Sequence, residues 1–307
     1  MGKRKGTKKN NDKVARKNKE FIVITKYVEN YKPFDTRANK PICFKENPLR
    51  GGDASMVLQE VDTIPFSTRI NGKKNNINYY APNNIGILLS VSNKSLLDAK
   101  EIFKTKLNPD SINHSKESDG LDRNDSIIEK SKIIYEFIEK VQTSIVFGYT
   151  ALETFSNLSI PEDYQYKNEA NNKGIIEIFD KDAIERWVTL KVKISEILTD
   201  IYETKDIKNL KIWSQFLNFE KMRNEIIHQK TITDTKFYHK YFKKEFLSIC
   251  DTPEEIIKFF FEELKDKKRT NPLWPWIINY NNGIPTTYEF NSEDFEVIGN
   301  LYEGRSI

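Results

Sequence analysis

Three side chains that could do chemistry lie within one stretch, FEKMRNEIIHQK (219–230): Arg223, Asn224 and His228. Histidine moves protons near neutral pH, because its unperturbed pKa lies in that range. Arginine offers a permanently charged fork of donors that matches the oxygens of an anion and stabilises charge developing on them. Asn224 can orient the imidazole or donate to the same anion. The chemistry open to this set is proton transfer beside a stabilised anion. The plainer reading is a structural Arg salt bridge with a solvent-exposed His at a helix end. Nothing else in the chain competes: there is no Walker loop, dinucleotide fingerprint, His-Glu-x-x-His or paired Cys-x-x-Cys. No cofactor and no metal are implied.

Helix geometry decides how the three groups can meet. Asn224 and His228 are four apart, so a helix puts them on one face, one turn from each other. Arg223 is offset from His228 by about 140° at ~100° per residue. A long Arg can reach back toward that face, but a single helix does not obviously converge all three; pairing two such helices across a dyad can bring two Arg and two His into one cleft.

The setting of the motif is helical. In 126–158, Ile134, Ile138, Val141, Ile145, Leu152 and Phe155 mark one face of a long amphipathic helix. Ile184, Trp187, Leu190, Ile194, Ile197, Leu198 and Ile201 repeat the pattern over 181–203. A third segment, 206–229, ends on the motif. A fourth starts at Thr252-Pro253-Glu254-Glu255, which reads as a capping box with Thr at N-cap and Pro at N1. Residues 237–249 could form a further helix. The expected fold is mainly α: a helical bundle over 126–265, with a C-terminal cover at 266–307 around PLWPWIINY. Trp187, Trp213, Trp274 and Trp276 are expected in the core, and His114 and His239 on the surface or in packing.

Ahead of the bundle the pattern changes. Residues 21–106 read as a smaller mixed α/β region of unknown role. FIVITKYV (21–28) and VLQEVDTI (57–64) are strand-like, and FSTRI (66–70) with INYYA (77–81) suggests a hairpin around Asn71-Gly72. Pro82 ends the strand, and helix is expected only in the second half of IGILLSVSNKSLLDAKEIF. The polar run 107–125 reads as a linker or long loop and the best domain boundary.

Composition limits the functional classes. The 307 residues are 38% hydrophobic and 31% charged, the balance of a soluble globular protein. No apolar run approaches the roughly 18–20 residues of a membrane span, and the N-terminus lacks the apolar core of a secretory signal. Residues 1–20 hold nine Lys or Arg against two acids, a net charge of +7. The other 287 residues then carry −3, the difference between +4 and +7. That arm is expected to be disordered and either solubilising or attracted to polyanions. Two cysteines, Cys43 and Cys250, make no disulfide framework and no zinc site, which suits a reducing, cytoplasmic location.

The motif and its neighbourhood resemble the HEPN superfamily of Arg-x4–6-His helical bundles. The likeness rests on VFGYTALETFSN (146–157), similar to an Ala-Leu-Glu-x-Phe run in the first long helix, on an intervening helix with Trp187, and on WSQFLNFEKMRNEIIHQ (213–229), with a polar residue after the Arg. It covers roughly 126–265. Two features depart from it: Lys230 stands where some family toxins carry a modifiable Tyr, and no Gly follows the His closely.

The resemblance implies a homodimeric, metal-independent endoribonuclease in bacterial antiphage defence or a toxin system. Arg223, Asn224 and His228 would be catalytic, and RNA the substrate, attacked by its own 2′-hydroxyl. Glu153 and Lys230 are accessory candidates. Glu153 would face the cleft from the first helix, although such a Glu more often pairs with an Arg. Lys230, like Lys243-Lys244, would bind phosphate, against the default of a solvated face. A neutralising or sensing partner protein fits the same resemblance. The alternative is a non-catalytic module that binds nucleic acid or a partner protein, with a scaffold subunit as a weaker third.

Overall fold

Two long helices that cross at small residues organise the chain. The computed structural model describes residues 19–25, 33–44, 56–114, 122–168, 174, 176–228, 235–243, 245–264, 273–277 and 295–300. Of the expected disordered arm 1–20, residues 1–18 lie outside them, whereas Lys19 and Glu20 are strand; Lys230, residues 115–121 of the expected linker and most of the C-terminal cover also lie outside.

Helix α1 (Asn84–Ile102) packs along α2 (Arg123–Leu158), which runs for 36 residues. Where they meet, the Ser92 hydroxyl donates to the Ser144 carbonyl at 2.8 Å, and both serines are buried. Gly148 lies one turn further along α2. A Cβ there would stand 3.0 Å from Pro253 Cγ, 3.0 Å from Ser92 Oγ and 3.3 Å from Phe219 Cζ. Three helices therefore close on α2 at a point where a methyl group would need its neighbours to give way by a few tenths of an ångström.

One apolar core unites these helices. It takes Leu89 and Leu96 from α1, Phe137, Val141, Ile145 and Leu152 from α2, Phe216 and Phe219 from α6 (Lys211–Ile227), and Ile257 and Phe260 from α7 (Thr252–Leu264). The bundle thus begins at Asn84 rather than 126. Segment 107–125 joins two helices of one core and divides no domains. The helix of α1 also occupies the whole of the stretch expected to be half helical. Asn83 starts it, accepting from the Gly86 amide at 2.9 Å and donating to the Leu273 carbonyl at 2.9 Å.

Between α2 and α6 the chain is broken into short pieces. A two-residue hairpin, β5 (Tyr166–Lys167) with β6 (Ile178–Phe179), precedes α3 (Lys181–Trp187). Then α4 (Leu190–Val192) passes through a π-helical turn, Lys193–Ile197, into α5 (Leu198–Tyr202). The continuous helix expected over 181–203 is interrupted, and Trp187 is 71% exposed rather than in the core. Trp213, Trp274 and Trp276 are buried as expected. Within α2 the buried row runs through Phe137 in place of Ile134. Residues 235–242 and 246–251 form 3₁₀ turns instead of a further α-helix. The expected capping box at Thr252 does not form. Thr252 already has helical backbone angles because a 3₁₀ turn leads straight into α7, and its buried hydroxyl finds no hydrogen-bond partner among the described residues.

The N-terminal region is a sheet of β1 (Lys19–Thr25), β2 (Ile42–Phe44), β3 (Met56–Ile70), β4 (Lys73–Tyr80) and β7 (Phe295–Asn300), antiparallel except for the β1–β7 pair. The two strands expected at 57–64 and 66–70 are one, β3. It pairs with β1 and β2 over its first half and with β4 over its second. The hairpin turn is Asn71-Gly72, with φ of 52° and 76°, the positive values that a two-residue turn of this hand requires.

Candidate functional site

The residues of α6 separate into a core face and an open face. Trp213, Phe216 and Phe219 are buried, while Ser214, Asn218, Lys221 and Asn224 recur every three or four residues on the solvent side. The helix ends at His228, whose backbone leaves the α region (φ −109°, ψ 37°) while its amide still donates to the Asn224 carbonyl at 2.9 Å. Its ring is exposed. Asn224 and His228 line an open groove of about 480 Å³ together with Leu217, Glu220, Lys221 and Glu225. Glu225 is ion-paired with Lys240, which also lies 4.1 Å from the centre of the Phe237 ring.

Arg223 points elsewhere and is held twice. Its guanidinium lies over the Tyr149 ring of α2, 4.6 Å from the centroid, and one terminal nitrogen donates to Asn224 Oδ1 at 3.0 Å. Tyr149 is itself buried, and its hydroxyl donates to Glu220 Oε1 at 3.2 Å. Burial, then the charge of Glu220, raises the Tyr149 pKa far above its ordinary value, with Arg223 opposing. Tyr149 is therefore a neutral ring and a donor throughout the neutral range. Among the described residues no carboxylate lies within ion-pairing distance of Arg223.

The motif residues are thus linked in series. Asn224 touches Arg223 and shares the groove with His228, whereas Arg223 does not line that groove. Glu153, one turn beyond Tyr149 on α2, does not line it either. Its charge acts on the buried ammonium of Lys193, which donates to Asn157 Oδ1 at 2.9 Å and to the Glu185 carbonyl at 3.1 Å. Burial lowers the pKa of Lys193, and Glu153 and then Glu185 oppose that shift. His114 bonds the Leu107 carbonyl at 3.1 Å, and His239 is exposed, next in the chain to the Lys240 that pairs with Glu225 of the groove.

Tyr149 and Glu220 escape the sequence reading. Glu220 precedes Arg223 by three residues and so shares its side of α6, which was available as a signal. Tyr149 meets Arg223 only because α2 and α6 close at Gly148, a tertiary contact. Among the described residues no His, Cys, Asp or Glu cluster could hold a metal ion, and no helix is long and apolar enough to cross a membrane. Comparison with family models, curated proteins and solved structures finds no match.

Proposed function

We propose that this chain is a metal-independent endoribonuclease whose site is completed by pairing two α6 helices across a twofold axis. The observation that carries the proposal is the coupling of Arg223 through Asn224 to the groove where His228 is exposed. In this reading one His228 takes the proton of an RNA 2′-hydroxyl as that oxygen attacks the adjacent phosphorus. The bond to the 5′-oxygen breaks, and the partner copy's imidazole protonates the leaving oxygen. The guanidinium of Arg223, which among the described residues pairs with no carboxylate, stabilises the extra negative charge on the non-bridging oxygens. The products are a 2′,3′-cyclic phosphate and a 5′-hydroxyl. A twofold pair is needed because one imidazole cannot be base and acid in the same step, and twofold dimers are the commonest closed assembly. A role in bacterial antiphage defence or as a toxin belongs to the same proposal, on the strength of the motif resemblance.

A second reading has an observation of its own. Arg223 is committed to Tyr149 and lies outside the groove, as suits a non-catalytic module that binds nucleic acid or a partner protein. One assay separates them: purified protein with total RNA and a chelator, beside His228→Ala. Cleavage that survives chelation, leaves cyclic phosphate ends and disappears in the variant supports the enzyme. Intact RNA with both proteins leaves the binding module.

A further inference from the structure

We propose that the projecting end of the β3–β4 hairpin binds the phosphate backbone of RNA. The inference rests on the reading of RNA as this protein's substrate, and adds a binding element remote from the α6 motif in sequence and in fold. Its geometry is set by the sheet. Pairing of β3 with β2 ends at Leu58 and with β1 at Val61, so residues 62–70 have, among the described residues, β4 alone beside them. From Ile64 through Lys74 every side chain is exposed. A two-stranded ribbon of this kind contributes little stability of its own and stands clear of the core.

Charge identifies the occupant. No Asp or Glu occurs from Thr63 to Tyr80, whereas Arg69, Lys73 and Lys74 cluster at the turn. Arg69 and Lys74 are directly opposed across the ribbon, and like charges in that position destabilise a hairpin. Among the described residues no carboxylate pairs with any of the three. The nearest acid, Asp62, lies at the ribbon's base, where it accepts from the Tyr79 hydroxyl at 2.9 Å and the Thr63 amide at 2.7 Å. An arrangement that repels itself when free is relieved by a polyanion.

The neighbouring groups suit nucleic acid as well. Asn76 and Asn78 supply exposed amides for phosphate and sugar oxygens, and Phe66, 44% exposed, offers a ring face to a base. A protein partner would use the exposed Ile64 and Ile77, which face each other across the strands. Those two are five and three residues from the Arg69–Lys74 pair, so a partner seated on them would leave the repulsion at the basic tip unrelieved.

The test uses the full chain carrying His228→Ala, so that RNA stays intact, and a fluorescently labelled oligouridylate as probe. Anisotropy is read between about 50 and 200 mM salt, with and without Arg69→Gln/Lys73→Gln/Lys74→Gln. The triple variant is expected to bind at least ~10-fold more weakly at low salt and to flatten the log–log salt slope by about two, the value for three lost single-strand phosphate contacts. Its melting temperature should be unchanged or higher, and Arg69→Lys should keep the slope. Three results overturn the proposal: no binding by the parent at low salt, an unchanged slope in the triple variant, or a change in oligomer mass with Ile64→Ser/Ile77→Ser while the triple variant binds RNA normally. The ribonuclease reading fails separately. If the ribbon governs binding yet the protein with His228 intact never cleaves, the enzyme proposal falls and the ribbon stands.

Discussion

The cations of α6 and those of the β3–β4 ribbon are held in opposite ways. Arg223 has a buried ring beneath it and an amide beside it before any ligand arrives. Arg69 and Lys74 face one another in solvent and, among the described residues, pair with no carboxylate. Stabilising a transient charge requires groups already in place, since reorganisation during reaction erodes the benefit. Capturing a polyanion requires only charge density, because released counterions drive it. The same contrast appears in two glycines. Gly148 lies where three helices touch, while a Cβ on Gly72 would meet nothing within 4 Å. One region is packed and pre-arranged, the other open and exposed.

The sharpest separation of the two is a crossed experiment. His228→Ala or Arg223→Ala should lower RNA cleavage at least ~100-fold, the low end for losing general acid–base help, while oligouridylate affinity changes little. The triple ribbon variant should do the reverse, weakening binding but restoring full turnover once RNA saturates. Turnover lost at saturation in the ribbon variant would join the two regions into one site.

Lys40 is a third kind of cation, and it reports on how the segment 33–44 is attached to the bundle. It is 4% exposed, with its ammonium 4.2 Å from the Phe261 ring centre and 5.0 Å from that of Trp276. Burial lowers its pKa to about 7 from an ordinary 10.5. Between those values the unfolded chain binds the proton and the folded chain does not, so stability rises with pH across that window. The slope approaches about 1.4 kcal/mol per pH unit. Below pH 7 both states are charged and the cost of burying the ammonium stands in full. Lys40→Met should therefore be the more stable protein at pH 6 and should lose this slope. Urea unfolding at pH 6, 8 and 10 checks it. Equal slopes in both proteins would mean that Lys40 keeps its proton in the fold.

Gly148→Ala tests the packed region directly. The added methyl meets Ser92, Pro253 and Phe219 at once, and overpacking of this kind costs about 1–3 kcal/mol. Chemical unfolding should show a lower midpoint, with cleavage falling as Tyr149 shifts under Arg223. An unaltered midpoint would show that α1, α6 and α7 can retreat from α2 freely.

The contrast also explains what could be read from the chain. The hairpin turn was legible because Asn71-Gly72 is one of few pairs that accept two positive φ angles. The motif helix was legible from its apolar period. The first half of α1 was not, because Gly86 and Ser92 occupy buried positions that a hydropathy pattern assigns to a polar face. Thr252-Pro253-Glu254-Glu255 marked the start of α7, yet the preceding 3₁₀ turn removed the need for a cap. Within the site, Arg223, Asn224 and His228 are local in sequence. Tyr149 is not, and its contact with Arg223 depends on helix crossing that no linear pattern encodes.

The smallest effect expected is the most discriminating. Gly72→Ala introduces no clash, since the space around it is open, but it holds an L-residue at φ 76°. Such a conformation costs about 1–2 kcal/mol, without any loss of core contacts. The strain should be relieved by fraying of the ribbon rather than unfolding of the bundle, because residues 62–70 pair, among the described residues, only with β4. Amide exchange in the β3–β4 segment should accelerate by roughly 5–30-fold, the range that energy implies, while exchange in α2 and α6 and the global midpoint stay put. Oligouridylate affinity should fall modestly, as the three cations lose a common frame. A global midpoint lowered as far as in Gly148→Ala would mean that the ribbon unfolds with the bundle as one cooperative unit. The division between a packed region and an open one would then fail.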